Sequence, residues 1–296
     1  MRITDAERFN NALGYIQSNS RAVATATRQI STGKRFLVPS EDPIGAAEVT
    51  RIRAQIDEYE SYGRSIDDAQ SWYDVQDSTL QSASRLMTRV NELMVQAQNG
   101  AMGPASRGAI ADEIDALRQQ LGTLANTQVA GQAVFGGFAN AAVQLTPTGA
   151  NYVGTAGGAQ VHRRVSPDLT LSVNSDGERA FGFTAGDNVF AVLSRVSAAV
   201  RAGDSTALAG EATNVEQRTA EVRDALGSVG ARASALGAAK QLNEERADSL
   251  KVRRSSVEDV DIAAASVDLV KSQRAYDAAL AAIARINQSS LLNFLR

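Results

Sequence analysis

His162 is the only histidine in the chain, and there is no cysteine. A paired-histidine metal site is therefore impossible, and thiolate metal sites and disulfides are excluded. A Ser-His-Asp arrangement would have to use His162 itself. That residue lies in Gln160-Val161-His162-Arg163-Arg164-Val165, where alternation turns it away from Val161 and Val165, the pattern of an exposed strand position. Glu258, Asp259 and Asp261 form an acidic cluster with oxygen donors of the kind a divalent cation uses. Acidic residues in the first turn of a helix are ordinary complements of its dipole, however, and this is the preferred reading of the cluster. The pairs Gly136-Gly137 and Gly157-Gly158 fit neither the dinucleotide-binding nor the phosphate-loop spacing and are read as turns. Arg163-Arg164 and the group Lys251, Arg253 and Arg254 lack interleaved aromatic residues, so they read as solvated faces rather than a nucleic-acid track. The residues thus offer no catalytic constellation, no cofactor cradle and no metal site.

Composition points the same way. Hydrophobic residues make up 44% of the 296 residues and aromatic residues only 5%. Much of the apolar content is alanine, which suits helices packed side by side. A formal charge of −3 gives no electrostatic reason to expect nucleic acid or an anionic membrane as partner. The N-terminal residues Met1-Arg2-Ile3-Thr4-Asp5-Ala6-Glu7-Arg8 lack the apolar core of a cleavable signal peptide. No stretch approaches the roughly 20 apolar residues of a membrane span. The expectation is a chain that is either cytoplasmic or exported without a cleaved signal.

The elements that would position these residues are helical at both ends. Phe9, Ile16, Val23 and Ile30 recur every seven residues, with Leu13, Ser20 and Thr27 as the intermediate positions of the seam. Gly33 and Pro39 stop this helix, and Asp42 caps the next, with Pro43 at its first position. A longer seam follows: Ile52, Tyr59, Ile66, Tyr73, Leu80, Met87 and Met94, with Tyr62, Ala69, Gln76, Ala83, Val90 and Ala97 between them and Trp72 at its edge. Gly100, Gly103 and Pro104 end it. A return helix is expected over 106–130.

Glycine clusters, prolines and the alternation of Leu169, Leu171 and Val173 mark 131–186 as a small β-rich insertion. Helix returns near 187, with Val189, Val192, Leu193 and Val196 on one face, and again over 205–254. Ser255-Ser256-Val257-Glu258 reads as a capping box opening the last helix. In that helix Ile262, Leu269, Tyr276 and Ile283 repeat at seven, with Gln273, Leu280, Asn287 and Phe294 as an imperfect second seam. The fold class is mainly α: a long antiparallel helical rod with a terminal coiled coil and a β-rich insertion. The domains expected are 1–39 with 257–296, 40–130 with 187–256, and 131–186. Because the terminal seams contain Ser20, Thr27, Gln273 and Asn287, the ends are expected to be marginal alone and to order when copies pack together.

Two segments carry a family resemblance. Ile30-Ser31-Thr32-Gly33-Lys34-Arg35-Phe36 followed by Pro39-Ser40-Glu41-Asp42-Pro43-Ile44-Gly45-Ala46-Ala47 resembles the N-terminal signature of the flagellin superfamily. Its Asp-Pro-x-Gly-Ala-Ala ending is similar to the hook–filament junction branch, whereas flagellins more often show two aspartates and then alanine–alanine–glycine. Val257-Glu258-Asp259-Val260-Asp261-Ile262-Ala263, with Ile286 to Leu295, is similar to the C-terminal signature of the same branch. Phe135-Gly136-Gly137 and Val229-Gly230-Ala231-Arg232 also match the pattern.

The resemblance implies a structural subunit of the bacterial flagellum, without enzymatic activity, exported by the flagellar type III apparatus and located outside the cell. It implies a ring of copies of this chain between hook-associated protein 1 and flagellin, and an export chaperone on the C-terminal helix. No nucleic acid, membrane or small-molecule substrate is implied, and no cofactor. The assembly interface would be carried by Phe9, Ile16, Val23, Ile30, Ile262, Leu269, Tyr276, Leu280, Ile283, Leu291 and Phe294. The alternative is a flagellin, the filament subunit itself.

Overall fold

The computed structural model describes residues 5–99, 102–155 and 159–294. In order they form α1 (Asp5–Thr32), α2 (Pro43–Ala97), α3 (Pro104–Ala125), β1 (Gln128–Val129), β2 (Gln132–Ala133), β3 (Val143–Thr146), β4 (Gly149–Tyr152), β5 (His162–Arg164), β6 (Thr170–Ser172), α4 (Gly177–Ala180), a 3₁₀ turn (Phe183–Ala185), α5 (Val189–Ala202), α6 (Ser205–Glu258) and α7 (Ile262–Phe294). The fold is mainly α with a small β-rich insertion. The chain divides into two compact units, Met1–Glu58 with Arg246–Arg296, and Tyr59–Glu245. Among the described residues no helix is long and apolar enough to cross a membrane.

The second unit is organised by the long seam of α2. Ile66, Tyr73, Leu80, Met87 and Met94 are buried, and so are Tyr62, Ala69, Gln76, Ala83 and Val90 between them. Side chains three and four apart share a helix face, so this double row needs a partner surface of matching length. α6 supplies one with its own repeat at seven: Leu208, Val215, Val222, Val229 and Leu236, all buried. The next position is Asn243, also buried, whose Nδ2 donates to the Tyr59 carbonyl at 3.0 Å. Lys240 pairs with Asp67 at 2.9 Å, so α6 runs antiparallel to α2. Trp72 is fully buried rather than set at the edge, in the same apolar cluster as Val165, Val173 and Phe181 of the insertion.

The return helix α3 ends at Ala125 rather than near 130. Asn126 stops it by turning its amide to the insertion: Oδ1 accepts from Ala142 N and Val143 N, and Nδ2 donates to the Val143 carbonyl at 2.7 Å. The insertion is three separate antiparallel hairpins, β1–β2, β3–β4 and β5–β6. The first is closed by Ala130 and Gly131, both at positive φ, the geometry of a tight two-residue hairpin turn. Its core is aromatic: Phe135 packs edge-on against Phe181 at 5.4 Å, and Phe181 against Phe190 of α5 at 6.0 Å.

Three consecutive carbonyls at the end of β6 are gripped by side chains of the long helices. Tyr73 Oη donates to the Ser172 carbonyl at 2.7 Å, Gln76 Nε2 to Val173 at 2.5 Å and Arg232 Nη1 to Asn174 at 3.1 Å. Gln76 is thus a polar residue in an apolar seam with a reason to be there: its amide satisfies backbone that burial would otherwise strand. His162 is exposed on β5. Arg163 and Arg164 are not simply solvated: the first pairs with Asp68 at 2.7 Å and the second stacks over Tyr62.

Candidate functional site

Among the described residues, charged side chains concentrate where the long helices break. In the first unit α1 packs along α7. Ile16, Val23 and Ile30 of α1 and Leu269, Tyr276 and Ile283 of α7 are all half-buried, as a seam shared by two helices alone would leave them. The intermediate positions differ from the sequence expectation. Leu13, Ser20 and Thr27 face solvent, and Ala12, Asn19 and Ala26 turn inward instead. On α7 the inner positions are Ala265, Ser272 and Ala279, while Gln273 and Leu280 are exposed. Small side chains at these positions let two helices approach closely. Ile262 is exposed at the first turn of α7, and the side chains of Phe9, Leu291 and Phe294 lie outside the described residues, as does that of Asn287. Large apolar groups remain uncovered on this pair: Leu13, Tyr15, Val267, Val270 and Leu280. Val267 and Val270 line a shallow groove with Ser266, Lys271 and Arg274.

The break between α1 and α2 and the break between α6 and α7 meet. The Gly33 carbonyl accepts from Val260 N at 3.0 Å, and the Glu258 carbonyl accepts from Arg35 N at 2.7 Å. Lys34 and Asp259 therefore face each other as an antiparallel bridge pair. The two segments that carry the family signatures are the two halves of one joint.

The joint is charged. Glu258, only 7% exposed, receives Arg53 Nη2 at 2.6 Å, Lys34 Nζ at 3.5 Å and Arg254 Nε at 3.8 Å. Asp259 pairs with Lys34 at 2.7 Å and accepts from Ser255 Oγ. These two donors, Lys34 first, hold the Asp259 carboxyl below the usual carboxylate range. On the other side Arg28 pairs with Glu41 at 2.6 Å, Arg35 with Asp42 at 2.7 Å, and Gln29 Nε2 donates to the Arg35 carbonyl. Nearby, Arg253 reaches Glu48 at 2.7 Å, and Glu48 is held low by Arg51 foremost and then by Arg253.

Asp42 caps α2, as its place before Pro43 suggested: Oδ1 accepts from Gly45 N at 2.8 Å. That bond, then Arg35, keeps its carboxyl below the usual range. Gly45 has no room for a side chain. A Cβ there would lie 2.4 Å from Asp42 Oδ2 and 2.9 Å from the ring of Phe36, the buried apolar residue under the turn.

The capping box expected at Ser255–Glu258 is not one. Both residues belong to the last turn of α6, and α7 is capped by Asp261, whose Oδ1 accepts from Ala263 N and Ala264 N. Glu258 thus ends a helix rather than starting one, and it is ringed by cations. Lys34, Arg53 and Arg28 were missed by the sequence reading. Their signal was a concentration of charge at the interruption of two apolar seams. Among the described residues no group of three histidine, aspartate or glutamate side chains is placed to hold a metal ion.

Comparison with known proteins adds the following. Residues 6–140 match the bacterial flagellin N-terminal helical region and residues 211–295 the bacterial flagellin C-terminal helical region. Flagellar hook-associated protein 3 of Escherichia coli is 25% identical over 317 residues, spanning 96% of this chain and 98% of that protein. Flagellin of Bacillus subtilis is also 25% identical, over 313 residues and the full length of both chains. Among solved structures, FlgL of Bacillus cereus superposes with a TM-score of 0.61 and 25% identity, covering 69% of this chain and 99% of that one. A flagellar hook-associated protein structure from Vibrio parahaemolyticus gives a TM-score of 0.69 at 16% identity, over 74% of this chain and 100% of that one.

Proposed function

The chain belongs to the flagellin superfamily, whose members are structural proteins of the bacterial flagellum and not enzymes, and from that premise we propose that it forms the junction between hook and filament. The observation that carries an assembly role is the α1–α7 pair. Its seam is only half covered, and it carries uncovered leucine, tyrosine and valine side chains on its outer faces. Burying one such side chain contributes roughly 1.5–3 kcal/mol, so a neighbour that covers several of them is well rewarded.

Within this reading the copies form a ring. Hook-associated protein 1 lies on one side and flagellin on the other, and the seam residues Ile16, Val23, Ile30, Leu269, Tyr276 and Ile283 carry the contacts. Ile262, Leu280, Phe9, Leu291 and Phe294 extend that surface. The terminal pair, 1–39 with 257–296, is the assembly domain. The helices of 40–130 and 187–256 form the stem, and 131–186 is the outer insertion. The subunit leaves the cell through the flagellar type III apparatus without a cleaved signal, accompanied beforehand by a chaperone on its C-terminal helix.

The junction is preferred to the filament subunit on the wording Asp42-Pro43-Ile44-Gly45-Ala46-Ala47 and on the likeness to hook-associated protein 3. The test is deletion of the gene. Hooks without filaments, with flagellin released into the medium, are the expected result. Bald hooks with no flagellin in the medium would identify the chain as the flagellin, and normal filaments would sink both readings.

A further inference from the structure

We propose that Glu258 is the keystone of the joint: its carboxylate, drawing together Lys34, Arg53 and Arg254, fixes the α1–α7 pair onto the parts of α2 and α6 that belong to the same unit. The proposal rests on the reading of α1–α7 as the assembly element.

Three observations carry it. First, a carboxylate at the last residue of a helix opposes the helix dipole, which favours cations there. Glu258 closes the 54-residue α6, so its position is unfavourable unless something else compensates. Second, the compensation comes from three separate segments. Lys34 belongs to the first break, Arg53 to α2 and Arg254 to α6 itself. One carboxylate therefore ties together every part of the joint except α7. α7 joins through the Lys34–Asp259 pair and the two main-chain bonds of the bridge.

Third, no apolar seam runs through the break. Leu37, Val38 and Ile44 point to solvent, and Phe36 is the one large apolar side chain of residues 33–44 that is buried. Charge does here what the heptads do along the helices. Removing the carboxylate leaves three cations converging on one point, where Asp259 is already paired with Lys34, so attraction turns to repulsion at a single position.

The test uses Glu258→Gln in the full chain, which keeps the shape of the side chain and removes its charge. Hydrogen–deuterium exchange should rise about tenfold or more in peptides containing the Arg35 and Val260 amides, the loss of a charge-assisted contact being worth that much. Peptides across Ile66–Met94 should keep wild-type exchange. Because the chain has no cysteine, Lys34→Cys with Asp259→Cys forms one unambiguous crosslink at the bridge pair, whose facing positions suit a disulfide.

Oxidised, that crosslink should return the joint of the Glu258→Gln chain to wild-type protection. In a strain lacking the gene, Glu258→Gln should give few filaments. Unchanged exchange at the joint overturns the proposal. So does an equal rise across Ile66–Met94, which would make Glu258 a general stability residue. A loosened joint that still supports a normal number of filaments overturns the link to assembly. Failure of the wild-type gene to restore filaments instead defeats the junction reading and leaves the exchange result to stand alone.

Discussion

Asp42 and Asp259 occupy opposite sides of the same charged joint, and both are held as anions by donors that the folded chain provides. For each, the folded carboxyl titrates below its unfolded counterpart. The stabilisation they give is therefore complete above the unfolded value, near pH 4, and is lost as pH falls through the lower folded values. The joint should open in acid before the aromatic core around Phe135, Phe181 and Phe190 does, since those three side chains are apolar and fully buried. Pepsin, which works in this range, should cut the Phe36–Leu37 bond faster at pH 2.5 than at pH 4, after correction for its activity on an unstructured peptide. An equal corrected rate at the two pH values would count against the charged joint. The cap at Asp42 was legible in the sequence because aspartate before proline is a local signal. The role of Glu258 was not, because Ser-x-x-Glu reads alike at the start of a helix and in its last turn. What ends α6 at Glu258 is a hydrogen bond from Arg35, more than two hundred positions away in the chain.

Among the elements, the long seam of α2 was readable almost position by position. Its large residues leave one choice of face, and the structure buries them as expected. The terminal helices were harder. A repeat at seven fixes one row of the seam but leaves two candidates for the other, three or four residues further on. The sequence reading placed Leu13, Ser20 and Thr27 there on α1, a row that is weak after Leu13. The structure takes Ala12, Asn19 and Ala26, and on α7 the inward row is Ala265, Ser272 and Ala279. The inward row has alanine at two of its three positions, and Leu13 is released to the outside. The repeat of α6 from Leu208 to Leu236 was equally available but lay hidden among alanines and glycines and ended on the polar Asn243. The small-residue row has a consequence. Ala26 is 5% exposed, so Ala26→Leu must push the helices apart and should cost about 1–3 kcal/mol, as overpacking does. Leu13→Ala, outside the row, should leave the unfolding midpoint of the terminal pair unchanged in urea. The reverse order of effects would restore the seam first read from the sequence.

For the whole molecule, the chain separates into two compact units that cover their apolar side chains to different extents. The second unit has a core of fully buried large side chains, from Ile66 and Trp72 to Phe190 and Leu236, and leaves Val95, Phe138 and Leu242 exposed at its surface. The first unit leaves Ile16, Val23, Leu269, Tyr276 and Ile283 half-covered, a state in which a helix pair gains by meeting more of its kind. Composition announced this imbalance through its many alanines and few aromatic residues, but only packing shows on which unit it falls. Replacing Leu269 and Ile283 together by aspartate places two charges on the seam of α7 and removes two of its large apolar groups. The double variant should lose assembly into filaments altogether. Its second unit should unfold at the wild-type midpoint, because neither residue belongs to it. Trp72, fully buried in that unit and the one tryptophan of the chain, reports its unfolding by fluorescence without interference from the first. Normal filaments from this variant would remove the α1–α7 seam from the assembly surface. A lowered tryptophan midpoint would mean instead that the terminal pair supports the fold of the second unit, and that the two tasks are not divided between the units as their packing implies.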